Sequence, residues 1–192
     1  LEARSGDGYQ RGPGRQPEEI GKLADMINQL VVLANGEAGE IQWTDQSVDI
    51  SDMVGSLLEQ LEPVAAAKRI TMKAAAEAHV HVRGDSSWIE RVVLNLLDNA
   101  IKFTPDGGNV TVTLAAKRAE AALTVQDNGI GIPAEALPHI FERSYRAEPS
   151  RSKQIAGVGL GLALARWIVE KHRVRITGDR RPGEGRRFPV FL

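Results

Sequence analysis

At 192 residues the chain is long enough for one core of ordinary size plus an appendage. Its 24 Lys and Arg against 25 Asp and Glu exclude a partner held by bulk charge, nucleic acid or an anionic membrane, so any anion site must be local. The lack of Cys excludes a disulfide framework and a thiolate metal centre, and the longest apolar runs fall far short of the ~20 residues a membrane span needs. The start at Leu1, with neither Met nor a signal-peptide pattern, reads as a piece of something longer.

Residues 1–16 are rich in Gly, Arg, Ser and Gln with almost no apolar content, the composition of a flexible N-terminal segment. Pro17-Glu18-Glu19 opens a helix, with proline early and acids where the helix dipole favours them. Ile20, Leu23, Ile27, Leu30 and Ala34 form an a/d seam on it, and Asn35-Gly36 is the expected end. Such a seam serves either a helix packed on its own domain or one half of a dimerising helical hairpin. Trp43 to Val48 reads as a connector, and a second helix carries Met53, Val54, Leu57, Leu58 and Leu61 on one face. Short strands follow near Ile70 to Ala74 and at Val80 to Val82. His79 and His81 lack a visible third ligand, so a metal reading does not carry.

Asp85 is placed to cap a helix whose buried stripe is Ile89, Val92, Val93, Leu96, Leu97 and Ala100. At about 100° per residue, Asn95, Asn99 and Lys102 fall in one polar stripe beside that face. Asn offers a neutral oxygen suited to Mg²⁺, and Lys a point charge for phosphate, so this stripe predicts a pocket wall. Thr104 to Gly108 breaks the helix, and two alternating runs, Val110 to Leu114 and Leu123 to Asp127, predict an antiparallel hairpin ending on Asp127. Gly129 and Gly131 let the backbone after that strand approach a ligand. Leu137, Ile140 and Phe141 mark a short helical piece, and Arg143, Arg146, Arg151 and Lys153 make the following loop a basic flap. Gly157, Gly159 and Gly161 open a helix with Leu160, Ala163, Leu164, Trp167 and Ile168 on its buried side, and its first N–H groups form a phosphate cradle. Strands at Val174 to Thr177 and Arg187 to Leu192 complete the chain. The side chains alone therefore spell an ATP–Mg²⁺ site.

Three blocks in this order, Asn95-Leu96-Leu97-Asp98-Asn99-Ala100-Ile101-Lys102, Asp127-Asn128-Gly129-Ile130-Gly131-Ile132-Pro133 and Gly157-Val158-Gly159-Leu160-Gly161-Leu162, resemble the N, G1 and G2 boxes of the GHKL ATPase and kinase superfamily. The resemblance is in detail to the C-terminal part of a sensor histidine kinase. It implies an α+β fold, a two-layer α/β sandwich of the Bergerat type with a mixed, mainly antiparallel sheet and helices on one face. It divides the chain into a partial second dimerisation helix with linker over 17–45 and a catalytic ATP-binding domain over 46–192.

By resemblance Asn99 holds Mg²⁺, Lys102 meets phosphate, Phe103 stacks on adenine and Asp127 accepts the adenine amino hydrogen. Ile132, Val158 and Leu160 belong to the same nucleotide-binding blocks. Ile140 to Arg146 looks like the F box, with Arg143 and Tyr145 near the nucleotide and Arg146 reaching the γ-phosphate. Asn95 stands where ATP-hydrolysing relatives carry a general-base glutamate, which speaks against a gyrase, mismatch-repair or chaperone ATPase. Four positions depart from the pattern: Ser144 replaces a second phenylalanine, Val158 a frequent Thr or Ser, Arg173-Val174 a glycine pair, and Arg186-Arg187 small residues after Gly185. No histidine precedes His79, so the phosphoacceptor lies outside this chain or is absent. The implied protein is a cytoplasmic homodimer, or the cytoplasmic part of a membrane-bound sensor, that phosphorylates a histidine and then a response-regulator receiver domain. A nucleotide-binding scaffold that transfers nothing, and a serine kinase of the same superfamily, remain as alternatives.

Overall fold

A computed structural model describes residues 16–39, 41–117, 120–147, 159–180 and 185–192. Two layers pack face to face, helices on one side and a mixed sheet on the other, the α+β architecture expected of the sequence. Helix α1 (Gln16–Glu37) is followed by strand β1 (Gln46–Asp49), helix α2 (Ile50–Ala67), strands β2 (Thr71–Ala76) and β3 (His81–Gly84), and helix α3 (Ser86–Phe103). Strands β4 (Asn109–Lys117) and β5 (Glu120–Asp127), a 3-10 turn at Leu137–His139, helix α4 (Gly161–Lys171) and strands β6 (Arg175–Ile176), β7 (Asp179–Arg180) and β8 (Arg186–Phe191) complete it.

The main sheet runs β2-β4-β5-β8-β6, with β7 also on β8. Among the described residues only β2 and β4 are parallel, joined by the crossover that contains α3, and the other pairs of this sheet are antiparallel. One register governs the site: β5 and β8 place Asp127 and Arg186 directly opposite each other. Alternation on β4 and β5 sends Val110, Val112, Leu114, Leu123 and Val125 inward against Ile89, Val92, Val93, Leu96 and Leu97 of α3 and Leu164 and Ile168 of α4, all buried. Truncating one of these, such as Leu96 or Leu164, to Ala would cost about 2–5 kcal/mol.

Side chains fix three helix ends, with Asp49 capping α2 through the Ser51 and Asp52 N–H groups. Asp85 caps α3 by accepting the Ser87 and Trp88 N–H groups, while Lys68 at the end of α2 donates its Nζ to the carbonyls of Ile101, Lys102 and Thr104 at 2.7, 3.1 and 2.7 Å. A cation on terminal carbonyls offsets the negative end of the dipole, so the Asn99–Phe103 turn is held from behind.

The chain departs from the sequence reading in two places. Helix α1 does not end at Asn35-Gly36 but continues to Glu37, because the Trp167 indole lies against Gly36 and packing outweighs the stop signal; the left-handed residue is Gly39. The second half of the connector is part of β1, paired antiparallel with β3. The α1 seam faces outward, the open one of its two readings, with Ile27 56% and Leu30 46% exposed and Ala34 open, whereas Leu33 and Gly36 are buried on the domain. The side chains of Ile20 and Leu23 lie outside the described residues. His79 and His81 both lie near one carboxylate, that of Asp49, at 3.9 and 3.6 Å.

Candidate nucleotide site

The polar stripe of α3 faces the start of α4. A Cβ built on Gly161, the first residue of α4, would stand 3.1 Å from Asn95 Oδ1 and 3.7 Å from Asn99 Nδ2, so both amides look onto the helix N-terminus across a gap that glycine keeps open. Among the described residues, Asn95 Nδ2 is the buried side-chain nitrogen or oxygen with no hydrogen-bond partner. A buried amide is left unpartnered only at a cost, and a polar ligand in this gap would remove it. Neutral amides facing a helix N-terminus, with Lys102 one turn further along α3, fit a hydrated Mg²⁺ carrying phosphate oxygens.

The flap meets the same helix start. Ser144, in a left-handed conformation at φ 58°, donates its N–H to the Gly159 carbonyl at 3.1 Å, and the Tyr145 ring lies 5.5 Å from that of His139. Arg143 and Arg146 are exposed on this flap. Leu160 and Ile132 are buried residues of the core. Gly157 and Val158 lie outside the described residues.

At the other end of the stripe the loop after β5 is drawn onto α3. Gly129 donates its N–H to Asp127 Oδ1 at 2.9 Å, Ile130 donates to the Phe103 carbonyl at 3.3 Å, and a side chain at Gly129 would strike that carbonyl. A side chain at Gly185 would run into the Asp127 carbonyl, so β8 enters hard against the end of β5. Asp127 and Phe103 are both engaged by one side chain, that of Arg186. Arg186 Nε donates to Asp127 Oδ2 at 3.1 Å and Oδ1 at 3.3 Å, its Nη2 donates to the Asn99 carbonyl at 3.2 Å, and its Cζ lies 4.5 Å from the centre of the Phe103 ring. Both partners are buried, Asp127 2% and Arg186 6% exposed. Burial pushes the Asp127 carboxyl up and the Arg186 guanidinium down from their ordinary values, and each charge opposes the other's shift. A carboxylic acid here would strand a buried guanidinium, so the ion pair is the state the geometry supports.

A second cluster was not legible in the sequence. Trp43 of the linker lies 5.3 Å from Trp88, 5.6 Å from Trp167 and 4.8 Å from His172, and Thr44 donates both its N–H and its hydroxyl to Asp85 Oδ2. His172 Nδ1–H donates to the Ile168 carbonyl, which leaves Nε2 to accept the Asp85 N–H. His172 is therefore a structural link between α4 and the start of α3.

The family model described as histidine kinase-, DNA gyrase B- and HSP90-like ATPase matches residues 84–192, more than half of the chain and the whole of the site above. The chain belongs to this family. Within the ATPase family its relatives are sensor kinases: it is 36% identical over 172 residues to the sensor histidine kinase RppB of Synechocystis sp., covering 89% of this chain but 38% of that protein. The mycobacterial sensor histidine kinase MprB superposes with a TM-score of 0.68 at 32% identity, covering 78% of this chain and 97% of that one. Full-length histidine kinase ShkA, solved with AMPPNP, superposes with a TM-score of 0.79 at 25% identity, covering 91% of this chain and 36% of that one. The chain is thus of the ATP-binding catalytic type found in two-component kinases, and it spans under two fifths of the length of its relative RppB.

Proposed function

We propose that this domain binds ATP with Mg²⁺ between α3 and α4 and transfers the γ-phosphoryl group to a histidine outside the described residues, from which it passes to a response-regulator aspartate. The observation that carries the reading is the pair of α3 amides, one unpartnered and buried, facing the glycine at the start of α4. When bound, the magnesium ion supplies neutralisation of charge developing on the phosphoryl oxygens. Asn99 is assigned as its protein ligand and Asn95 as the neighbouring donor. Lys102 and Arg146 provide positive charge to the phosphates, and the N–H groups from Gly157 to Gly161 cradle them. Phe103, Asp127, Gly129 and Gly131 form the base end, with Arg143 and Tyr145 on the flap above it. No base is required of this domain, because a neutral imidazole is itself the nucleophile and its lone pair attacks the phosphorus as ADP leaves.

The division of labour follows from α1, whose open apolar stripe of Ile27, Leu30 and Val31 is assigned to a second copy of the chain, with the linker over 40–45 joining it to the catalytic domain. No helix among the described residues is long and apolar enough to cross a membrane, so any membrane attachment belongs to other segments.

The test is transfer from γ-labelled ATP to a separately supplied helical hairpin that carries an acceptor histidine. Acid-labile, base-stable label on the hairpin is the expected result. Acid-stable label would assign a serine kinase instead, and no label despite ATP binding would leave a nucleotide-binding scaffold.

A further inference from the structure

Arg186 presents to Asp127 and Phe103 what a nucleobase would present. Its guanidinium is flat, carries N–H donors along its edge, donates one to the buried carboxylate, and sits over the aromatic ring with Cζ 4.5 Å from the ring centre. A purine bearing an amino group needs the same two features, an acceptor oxygen at its edge and an aromatic face beneath it. We propose that Arg186 is a self-ligand of the base subsite, so that a nucleotide engages this site through its base only when the guanidinium has withdrawn. This rests on the nucleotide reading above and adds a restraint to it.

Three observations make the contact a built feature. Asp127 and Arg186 are directly opposed in the β5–β8 ladder, so the sheet fixes the two Cα atoms and only rotation of the side chain can open the pair. Gly185, at φ 82°, brings the β8 backbone against the Asp127 backbone at a distance that no side chain would allow, which locks the start of β8 beside the carboxylate. The free end of the guanidinium is tethered as well, through Nη2 to the Asn99 carbonyl, so the residue assigned to the metal by its side chain holds the plug by its backbone.

The energetic direction follows. A charge-assisted bond from guanidinium to carboxylate is stronger than a neutral base N–H to the same oxygen, and the guanidinium is supplied in the same chain at no loss of translational freedom. The apparent dissociation constant for a nucleotide is its intrinsic value divided by the fraction of molecules with the plug withdrawn. Phosphate contacts at Asn95, Asn99 and Gly161 lie outside the plug and escape this factor. The site as folded therefore discriminates poorly between a nucleotide and its phosphate moiety alone.

Calorimetry on the whole chain, with Mg·ATP and Mg·tripolyphosphate as probes, tests this. The unmodified chain is expected to bind the two within about threefold of each other, and Arg186→Ser to tighten Mg·ATP at least about tenfold with tripolyphosphate unchanged. Arg186→Gln, which keeps a donor for Asp127 but no charge, is expected to fall between them. A measurement free of any variant is hydrogen exchange at the Arg186 Nε–H, expected to be protected in the free chain and under Mg·tripolyphosphate, and released by saturating Mg·ATP. Protection that persists under saturating Mg·ATP, or Mg·ATP already far tighter than tripolyphosphate in a chain that Arg186→Ser does not improve, overturns the plug while leaving nucleotide binding intact. Silence toward both probes in every variant would overturn the nucleotide reading and the plug together.

Discussion

Asn99 serves two structures at once, its side-chain amide turned to Gly161 and its carbonyl to Arg186. Substitution separates them, because Asn99→Ala removes the amide and keeps the carbonyl. Alanine is also the better helix former by a few tenths of a kcal/mol, so the fold should be unharmed. The expected result is a loss of Mg²⁺-dependent nucleotide affinity of at least about tenfold, the scale on which even supporting residues of metal sites act. Titration with ATP in the presence and absence of Mg²⁺ measures it, and equal affinities for the variant and the original with Mg²⁺ present would remove Asn99 from the site. Asn99 was readable in the sequence because spacing on one helix is local information. Arg186 was readable only as a departure from a pattern, since its consequence depends on a strand register that brings residues 59 apart into contact.

At the scale of elements, Asp85 ties the linker, α3 and α4 together. Burial raises the pKa of its carboxyl, but the hydroxyl and N–H of Thr44 and the N–H groups of Trp88 and Ser87 outweigh burial, and the net value lies below the ordinary one. A carboxylate depressed on folding contributes stability that is fully present above its unfolded value, near pH 3.9, and is lost as the pH falls through the lower folded value. The linker should therefore detach on acidification below about pH 4, with Trp43 leaving the Trp88–Trp167–His172 box, and indole emission should shift to the red. Asp85→Ala should produce that shift at neutral pH and cost about 1–2 kcal/mol in urea unfolding, as the loss of an N-cap with added partners does. An unchanged spectrum in the variant would show that the indole box, not the carboxylate, holds the linker. The helices that this latch joins were legible from apolar spacing, and their observed burial follows it. Strand β1 was not, because Gln46-Ser47-Val48-Asp49 is four residues long with a single buried side chain, and only pairing to β3 defines it. The end of α1 misled for a related reason: a local stop signal at Gly36 was overridden by an indole that arrives from 131 positions later.

For the whole molecule, α1 is held at one end and open along its length. Leu33 and Gly36 fasten it to the domain, while Ile27 and Leu30 of the seam that the sequence marked stand 56% and 46% exposed, with Val31 beside them at 49%. A contiguous apolar stripe on a 22-residue helix is a surface that binding would bury, and spacing by three and four is what a neighbouring helix fills. Acids at Ile27 and Leu30 would remove about 1.5–3 kcal/mol of burial per side chain from such an interface, and each 1.4 kcal/mol is tenfold in affinity. The double variant Ile27→Glu with Leu30→Glu should thus weaken self-association of the chain at least about a hundredfold in sedimentation velocity. Its Mg·ATP affinity and its Trp43 emission should be unchanged, because the latch at Asp85 and the gap at Gly161 lie beyond the stripe. Equal association of both chains would take the second copy off this stripe. Loss of nucleotide affinity together with association would instead mean that the site is completed across the interface, and that the restraint set by Arg186 is released by assembly rather than by nucleotide alone.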